Sequence, residues 1–276
     1  MNKQHIRFLP YGGLCNRLNA VATAVSLATS GRDITVLWLR KPWCAAAFHE
    51  LFEPMEISGV KLYSADTASL LWQRSLPRNL RQAGRIRQFF GWYNMEDLYP
   101  HTSESEAFEQ ALARVPKLYV STCQRLLTPT LALRDLFKPI TSIQMRIDAV
   151  VDTFSPNTYG LHIRRGDHDF CRVNSPLEAF IQHMDTLIAR EPDACFYVAT
   201  DDATVRDTLA VRYPNRIRYY EGATLSRSSV AGMQDAVVDL FVLSRTKAIY
   251  GSLSSSFSEV AAELGGIPLE MATLSQ

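Results

Sequence analysis

In the second half of the chain, apolar runs of four to six residues alternate with longer segments of helical period, and that alternation leaves few folds open. Short runs of this kind mark a parallel sheet whose strands are joined by crossover helices. The expected strands are 159–164, 195–200, 217–220, 248–251 and 267–270, and the expected helices are 176–190, 203–213, 234–244 and 257–264. The first half opens in the same way, with a strand at 6–9, a glycine-containing turn, a helix at about 16–30 and a strand at 34–39. After a less regular middle come a strand at 118–121 and a helix at 143–151. The polar, proline-containing stretch 153–158 reads as a boundary. The expected fold class is α/β, with two Rossmann-like domains, residues 1–154 and 155–276, facing a cleft.

The strand at 159–164 runs through Gly160-Leu161-His162-Ile163-Arg164-Arg165-Gly166-Asp167. Two cations at the end of a buried strand are costly unless an anion meets them, and a phosphate is the expected anion. Successive strand residues point to opposite faces, so His162 and Arg164 share one face while Ile163 and Arg165 share the other. Arg164 is therefore the candidate ligand, with Arg165 held by a nearby carboxylate, Asp167 or Asp169, and orienting the loop. The competing reading is a pair of solvated strand-end arginines in surface ion pairs worth under about 1 kcal/mol.

Other stretches carry candidate chemistry of their own. Tyr11-Gly12-Gly13-Leu14-Cys15-Asn16-Arg17 joins the first strand to the first helix, where glycines let backbone N–H groups approach an anion and the helix dipole favours negative charge. It lacks the third glycine of a dinucleotide fingerprint and the ending of a Walker loop, and a tight turn explains it equally well. Phe196 to Asp202 ends a strand in two carboxylates at the edge where open α/β sheets bind ligands; Asp201 or Asp202 either holds ribose hydroxyls or caps the next helix. In Ser252-Leu253-Ser254-Ser255-Ser256-Phe257-Ser258-Glu259, Ser256 and Glu259 have capping-box spacing, and Ser254 or Ser255 is a candidate phosphate contact.

Asp235 and Asp239 lie one helical turn apart, and a carboxylate at a helix edge can accept from the N1–H and amino group of guanine; two solvated acids are the plainer reading. Asp167-His168-Asp169 spells a D-x-D, but two arginines directly before it already suffice to neutralise a diphosphate, so no metal is expected. Arg74, Arg78, Arg81 and Arg85 recur at helical spacing and suit an anionic acceptor or lipid head groups; Pro77 interrupts them, and a solvated face is the expectation.

The 29 basic and 28 acidic residues leave a net charge of +1, which gives no reason to expect nucleic acid as a partner. Five scattered cysteines lack zinc-site spacing and suit a reducing compartment. With no signal-peptide core and no apolar window of membrane-spanning length, the expectation is a cytoplasmic protein without a transmembrane segment, peripheral membrane contact being left open.

Taken in order, Gly12-Gly13-Leu14-Cys15-Asn16-Arg17, His162-Ile163-Arg164-Arg165-Gly166-Asp167, Ala199-Thr200-Asp201-Asp202 and Asp239-Leu240-Phe241-Val242-Leu243-Ser244 with the serine run resemble the fucosyltransferase superfamily. That superfamily includes α1,6-fucosyltransferases, the rhizobial nodulation-factor enzyme and protein O-fucosyltransferases. The resemblance covers the C-terminal half well and the N-terminal half only at the glycine loop. It implies a GT-B fold, GDP-fucose as donor substrate, no metal or other cofactor, and inversion at the anomeric carbon. By position, Arg164 would bind the β-phosphate, His162 and Asp239 would contact the guanosine part, and Asp201 or Asp202 would lie nearby. Ser254 or Ser255 would touch phosphate, and Asn16 would sit on the loop facing the diphosphate. The first domain would then be the acceptor side and the second the GDP-sugar side.

Three departures from the family pattern stand out. Cys15 replaces a glycine common in that loop, and Arg172 stands ten positions after His162, where α1,6-fucosyltransferases carry a glutamate that is a candidate base. His168 and Asp169 become the nearest candidate bases, with Glu50 and Glu53 as further options. The anchors and accessory domains of secretory-pathway members are also missing, which suits a compact bacterial-type enzyme. The leading expectation is a glycosyltransferase moving fucose from GDP-fucose to a hydroxyl of a glycan or glycolipid. Alternatives are another GDP-sugar, a protein acceptor, or a nucleotide-sugar-binding module without catalysis.

Overall fold

Two five-stranded sheets, every neighbouring pair of strands parallel, organise the chain in a computed structural model that describes residues 3–28, 31–65, 81–98, 103–166 and 169–274. Each sheet belongs to its own compact unit, Met1–Lys138 with Arg227–Val230 and Pro139–Ser226 with Ala231–Gln276. The break at Lys138 lies upstream of the expected boundary after residue 154. Helix α5 (Thr141–Val151) accounts for the difference: Ile143 and Ile147 are buried, and Arg146 reaches Tyr220 and Asp235 of the second unit.

In the first unit the order along the chain is β1 (Gln4–Pro10), α1 (Leu14–Ser26), β2 (Arg32–Leu39), β3 (Val60–Ala65), α2 (Arg81–Phe89), β4 (Tyr93–Glu96), α3 (Ser103–Arg114), β5 (Lys117–Thr122) and a short α4 (Leu133–Leu136). The sheet runs β3-β2-β1-β5-β4, so the chain winds one way from β1 to β3 and returns on the other side of β1. The carboxyl ends of β1 and β5 therefore flank a topological switch point, where such sheets bind ligands. The glycine loop leaves β1 there, and Tyr11 N–H donates to the Thr122 carbonyl at 3.1 Å.

The second unit continues with β6 (Thr158–Ile163), α6 (Asp169–Asn174), α7 (Leu177–Arg190), β7 (Cys195–Thr200), α8 (Ala203–Arg212), β8 (Ile217–Arg218), α9 (Val230–Leu243), β9 (Ile249–Gly251), α10 (Ser256–Gly265) and β10 (Leu269–Met271). Its sheet runs β10-β9-β6-β7-β8, which puts the switch point between β6 and β9. All six residues of β6 are buried, as a central strand covered on both faces requires. Tyr159, Leu161 and Ile163 pack with Phe180, Met184 and Leu187 of α7 and Val205 and Leu209 of α8. The opposite face meets α9 and α10: a Cβ at Gly160 would lie 2.9 Å from Leu243, and His162 stacks on Phe257. The face assignment expected from strand alternation is the one adopted.

The expected strands and helices are present with shifted ends, the largest shifts being at α1, which ends at Ser26, and α9, which starts at Val230. The sequence reading had no strand for β3 or β4, which are the two edges of their sheet, and no helix for α2, α3 or the six-residue α6.

Candidate functional site

The densest polar cluster among the candidate residues lies at the switch point of the second unit. The ends of β6 and β9 are tied by Ser252, which is fully buried. Its hydroxyl accepts from the Arg164 N–H at 3.0 Å and donates to the His162 carbonyl at 3.2 Å, while its own N–H donates to that carbonyl at 3.1 Å. Where a serine run reads as a row of phosphate contacts, this member is a structural tie.

Arg164 forms an ion pair with Asp201 at the end of β7, both side chains being less than a fifth exposed. The same carboxylate accepts from the N–H of Arg165 at 2.7 Å and from the N–H of Gly166 at 3.1 Å. Asp201 thus gathers the whole Arg164-Arg165-Gly166 turn around one anion. The approach is close enough that a Cβ at residue 166 would lie 2.6 Å from Asp201 Oδ2, which explains the glycine.

Arg165 turns the other way. Its Nη1 donates to the Ser175 carbonyl at 2.8 Å, the guanidinium lies 5.9 Å from the centroid of Phe180, and burial lowers its pKa. Of the two expected partners, Asp169 is instead 82% exposed and paired with Arg172 one helical turn away, so that alternative is corrected: among the described residues a main-chain carbonyl and an aromatic ring hold Arg165. Asp167 and the candidate base His168 lie outside the described residues.

His162 is buried, stacks on Phe257 with ring centroids 4.7 Å apart, and shares a 2.8 Å hydrogen bond between Nδ1 and Ser258 Oγ. Burial and the nearby Arg164 cation push its pKa down to about 4, so the ring is neutral near pH 7. With Nδ1 engaged by a hydroxyl, Nε2 is the nitrogen left for a ligand. Ser258 owes this position to the true start of α10. The helix N-cap is Ser255, one residue before the expected capping box, which places Ser258 at the third helical position and turns it to His162. Ser255 makes no side-chain capping bond, and its carbonyl accepts from the Ser258 N–H at 3.1 Å as the first turn of the helix forms. Ser254 is exposed with φ of 60°, a left-handed conformation that sharpens the turn into the helix.

Asp202, the second carboxylate after β7, is the N-cap of α8: it accepts from Thr204 N–H at 2.9 Å and Thr204 Oγ1 at 2.7 Å, and those bonds hold its pKa down. The capping reading applies to Asp202 and the ligand-loop reading to Asp201. Asp239 accepts from the Tyr197 hydroxyl at 2.5 Å, and burial raises its carboxyl to about pKa 7. Asp235 pairs with Arg146 and accepts from Thr224 N–H at 2.7 Å. The plainer reading of two solvated acids is corrected: each carboxylate has an internal partner. Arg146, which also donates to Tyr220 Oη at 2.8 Å, drew no attention in the sequence because it lies alone in an ordinary helical pattern.

In the first unit, Gly12 has φ of 81° and Gly13 is the extended N-cap of α1. Asn16 lies in the first turn of that helix, and a Cβ at Gly12 would stand 2.9 Å from its amide nitrogen. Arg17 of the same motif is 1% exposed; it donates to the carbonyls of Gly12 at 3.0 Å and Leu39 at 2.5 Å beneath Trp38. It is an internal clamp. Glu50 pairs with Arg40 at 3.0 Å and accepts from Ala47 N–H at 2.7 Å, so it too is structural. No group of three metal-ligating side chains occurs among the described residues, and no described helix is long and apolar enough to cross a membrane.

No protein-family model and no curated protein sequence matches the chain. Solved structures do. Fucosyltransferase NodZ from Bradyrhizobium matches with a TM-score of 0.60 at 19% identity over 95% of this chain and 93% of that one. POFUT1 in complex with GDP matches with a TM-score of 0.60 at 11% identity over 99% of both chains. A mutant of FUT1 from Arabidopsis thaliana in complex with GDP matches with a TM-score of 0.59 at 14% identity over 98% of this chain and 70% of that one. The chain has the α/β, GT-B fold of these fucosyltransferase structures.

Proposed function

We propose that the chain is a GDP-fucose-dependent, inverting, metal-independent fucosyltransferase acting on a hydroxyl of a glycan or glycolipid. The observation that carries the reading is Arg164, held by Asp201 at the switch point of the second unit, in a fold shared with structures of NodZ α1,6-fucosyltransferase soaked with GDP-fucose and POFUT1 in complex with GDP-fucose. Departure of GDP from an oxocarbenium-like sugar builds negative charge on the diphosphate, and preorganised donors aimed at that charge lower the barrier. Arg164 supplies the cation, and Ser255 at the start of α10 supplies a hydroxyl. His162, neutral and held through Nδ1 by Ser258, is assigned to the guanosine part. In this reading the second unit holds the nucleotide sugar and the first serves the acceptor side, with Gly12, Gly13 and Asn16 on its loop assigned to the donor diphosphate. A fixed guanidinium does the electrostatic work that a divalent cation does in D-x-D enzymes.

The test is a calorimetric screen of GDP, UDP and ADP followed by turnover of GDP-fucose with and without chelator. GDP is expected to bind alone among the three, and turnover to survive chelation. Arg164→Ala should remove nearly all transfer, since one charge-assisted bond to the leaving group is worth about 1.5–3 kcal/mol before its preorganisation is counted. Activity like the parent's in that variant overturns the assignment. GDP binding with no turnover against any acceptor pool replaces it with a nucleotide-sugar-binding module.

A further inference from the structure

Helix α2 is built inside out. Against a sheet, a helix ordinarily turns its apolar stripe inward and its cations to water. Here the inward residue is Arg87, 0% exposed, which pairs with Glu96, donates through Nε to Asn94 Oδ1 at 2.5 Å and lies 3.9 Å from the centroid of Tyr119. Large apolar side chains turn outward instead, beside exposed Arg85 and Gln88: Phe89 is 86% exposed, and Ile86 and, just beyond the helix, Phe90 and Tyr93 are each about half exposed. Phe89 and Phe90 meet edge to face at 5.4 Å, forming one aromatic knob at the helix end. The buried ionic clamp fixes the helix so that this knob cannot roll into the core.

The knob is ringed by cations. Exposed Arg85 lies one turn before Phe89 on the same face, and exposed Lys117 reaches the Phe90 carbonyl at 3.2 Å. Along the sequence, five arginines and no carboxylate fall between Asp66 and Glu96. A second copy of this face would bring like charges together. An anionic bilayer surface fits both features: aromatic rings settle at the head-group level, and each nearby Lys or Arg adds to the attraction. We propose that the corner formed by α2 and β4 seats on an anionic lipid surface, with Phe89 and Phe90 entering the interface and Arg85 and Lys117 meeting lipid phosphates. This inference does not rest on the donor assignment.

The experiment is flotation of the full chain with vesicles of phosphatidylcholine alone and of phosphatidylcholine mixed with phosphatidylglycerol. Binding is expected only to the mixed vesicles and should weaken as salt rises. Phe89→Ala with Phe90→Ala should lower the partition about tenfold or more, and Arg85→Glu about tenfold. Unchanged thermal midpoints and unchanged calorimetric GDP titrations in these variants separate loss of docking from loss of fold or of donor binding. The proposal is overturned by equal binding to neutral vesicles, by no binding to anionic ones, or by variants that bind like the parent. It is equally overturned if these variants abolish self-association or retention on homopolymeric RNA while leaving vesicle binding intact.

Discussion

Replacing Asp201 with asparagine separates two roles that a carboxylate beside a phosphate-binding arginine can play. As an orienting group it fixes the guanidinium and the turn; as a competitor it occupies the cation that the diphosphate needs. The three donors converging on Asp201 allow the balance to be worked out. Asparagine keeps one acceptor oxygen but turns an NH2 toward either the guanidinium or an amide N–H, so at least one charge-assisted bond, worth about 1.5–3 kcal/mol, is lost. Release of the arginine adds up to about 2 kcal/mol of rotamer freedom that must be ordered again on binding. Against this stands relief of repulsion. A diphosphate on the far side of the guanidinium carries at least two negative charges and would lie about 8 Å from the carboxylate, where they repel it by about 4 kcal/mol at an effective dielectric near 20. Against orienting contributions that reach about 5 kcal/mol, orientation wins by roughly 1 kcal/mol, a weakening of GDP affinity of about fivefold. Titration calorimetry of GDP against parent and variant, with melting curves to confirm the fold, reads this directly. Equal or tighter binding by Asp201→Asn would refute the orienting role and make Asp201 an occupant that must be displaced.

Gly166→Ala should reproduce much of that loss, because its Cβ would stand 2.6 Å from Asp201 Oδ2 and force the carboxylate off the turn; GDP affinity like the parent's would show that the turn yields without cost. Asp169→Ala should leave GDP-fucose turnover within about twofold, since the side chain is 82% exposed and partnered only by Arg172 at the surface; a hundredfold fall would instead make it the base. Stability should carry two opposed pH limbs. His162, depressed to about 4, contributes stability that is complete above its unfolded value near 6.5 and is lost as pH falls toward 4. Asp239, raised to about 7, contributes stability that is complete below its unfolded value near 3.8 and is lost as pH rises through 7. Urea unfolding of Asp239→Asn should therefore gain on the parent by about 1.4 kcal/mol per pH unit between pH 5 and 7, and a constant difference across that range would contradict a buried, protonated carboxyl.

The second unit was readable from sequence because β6 and β7 are continuous apolar strands and α7 and α10 carry clear periodicity. Alternation alone separated Arg164 from Arg165, and the structure sends their guanidiniums to different elements. Partner choice was not readable: Asp169 is nearer to Arg165 in sequence than the Ser175 carbonyl that holds it, and only the fold brings Asp201 across from β7. The cap of α10 slipped by one residue because a run of serines offers several frames with similar local chemistry. Helix α2 escaped because its apolar residues face away from the sheet and its inward residue is an arginine, the reverse of the pattern that signals a packed helix. Arg74 and Arg78 of the arginine series lie outside the described residues.

The two glycine-bearing turns, each at the switch point of its own sheet, are secured by opposite charges, and this decides what each can offer a ligand. In the first unit a buried cation, Arg17, takes the Gly12 carbonyl, an arrangement that engages the loop through its acceptor side. In the second unit a carboxylate, Asp201, takes the N–H groups of Arg165 and Gly166, an arrangement that consumes the donors a phosphate-cradling loop would present. Gly166 therefore admits a protein carboxylate rather than a ligand phosphate, and the turn is unlike a P-loop despite its glycine. On the proposed function, recognition of a diphosphate in that unit then falls to the Arg164 side chain and the Ser255 hydroxyl. Substituting Arg164 by lysine, which keeps the charge but loses the second edge of the fork, should consequently cost nearly as much as alanine, because one nitrogen cannot serve Asp201 and a phosphate in the same geometry.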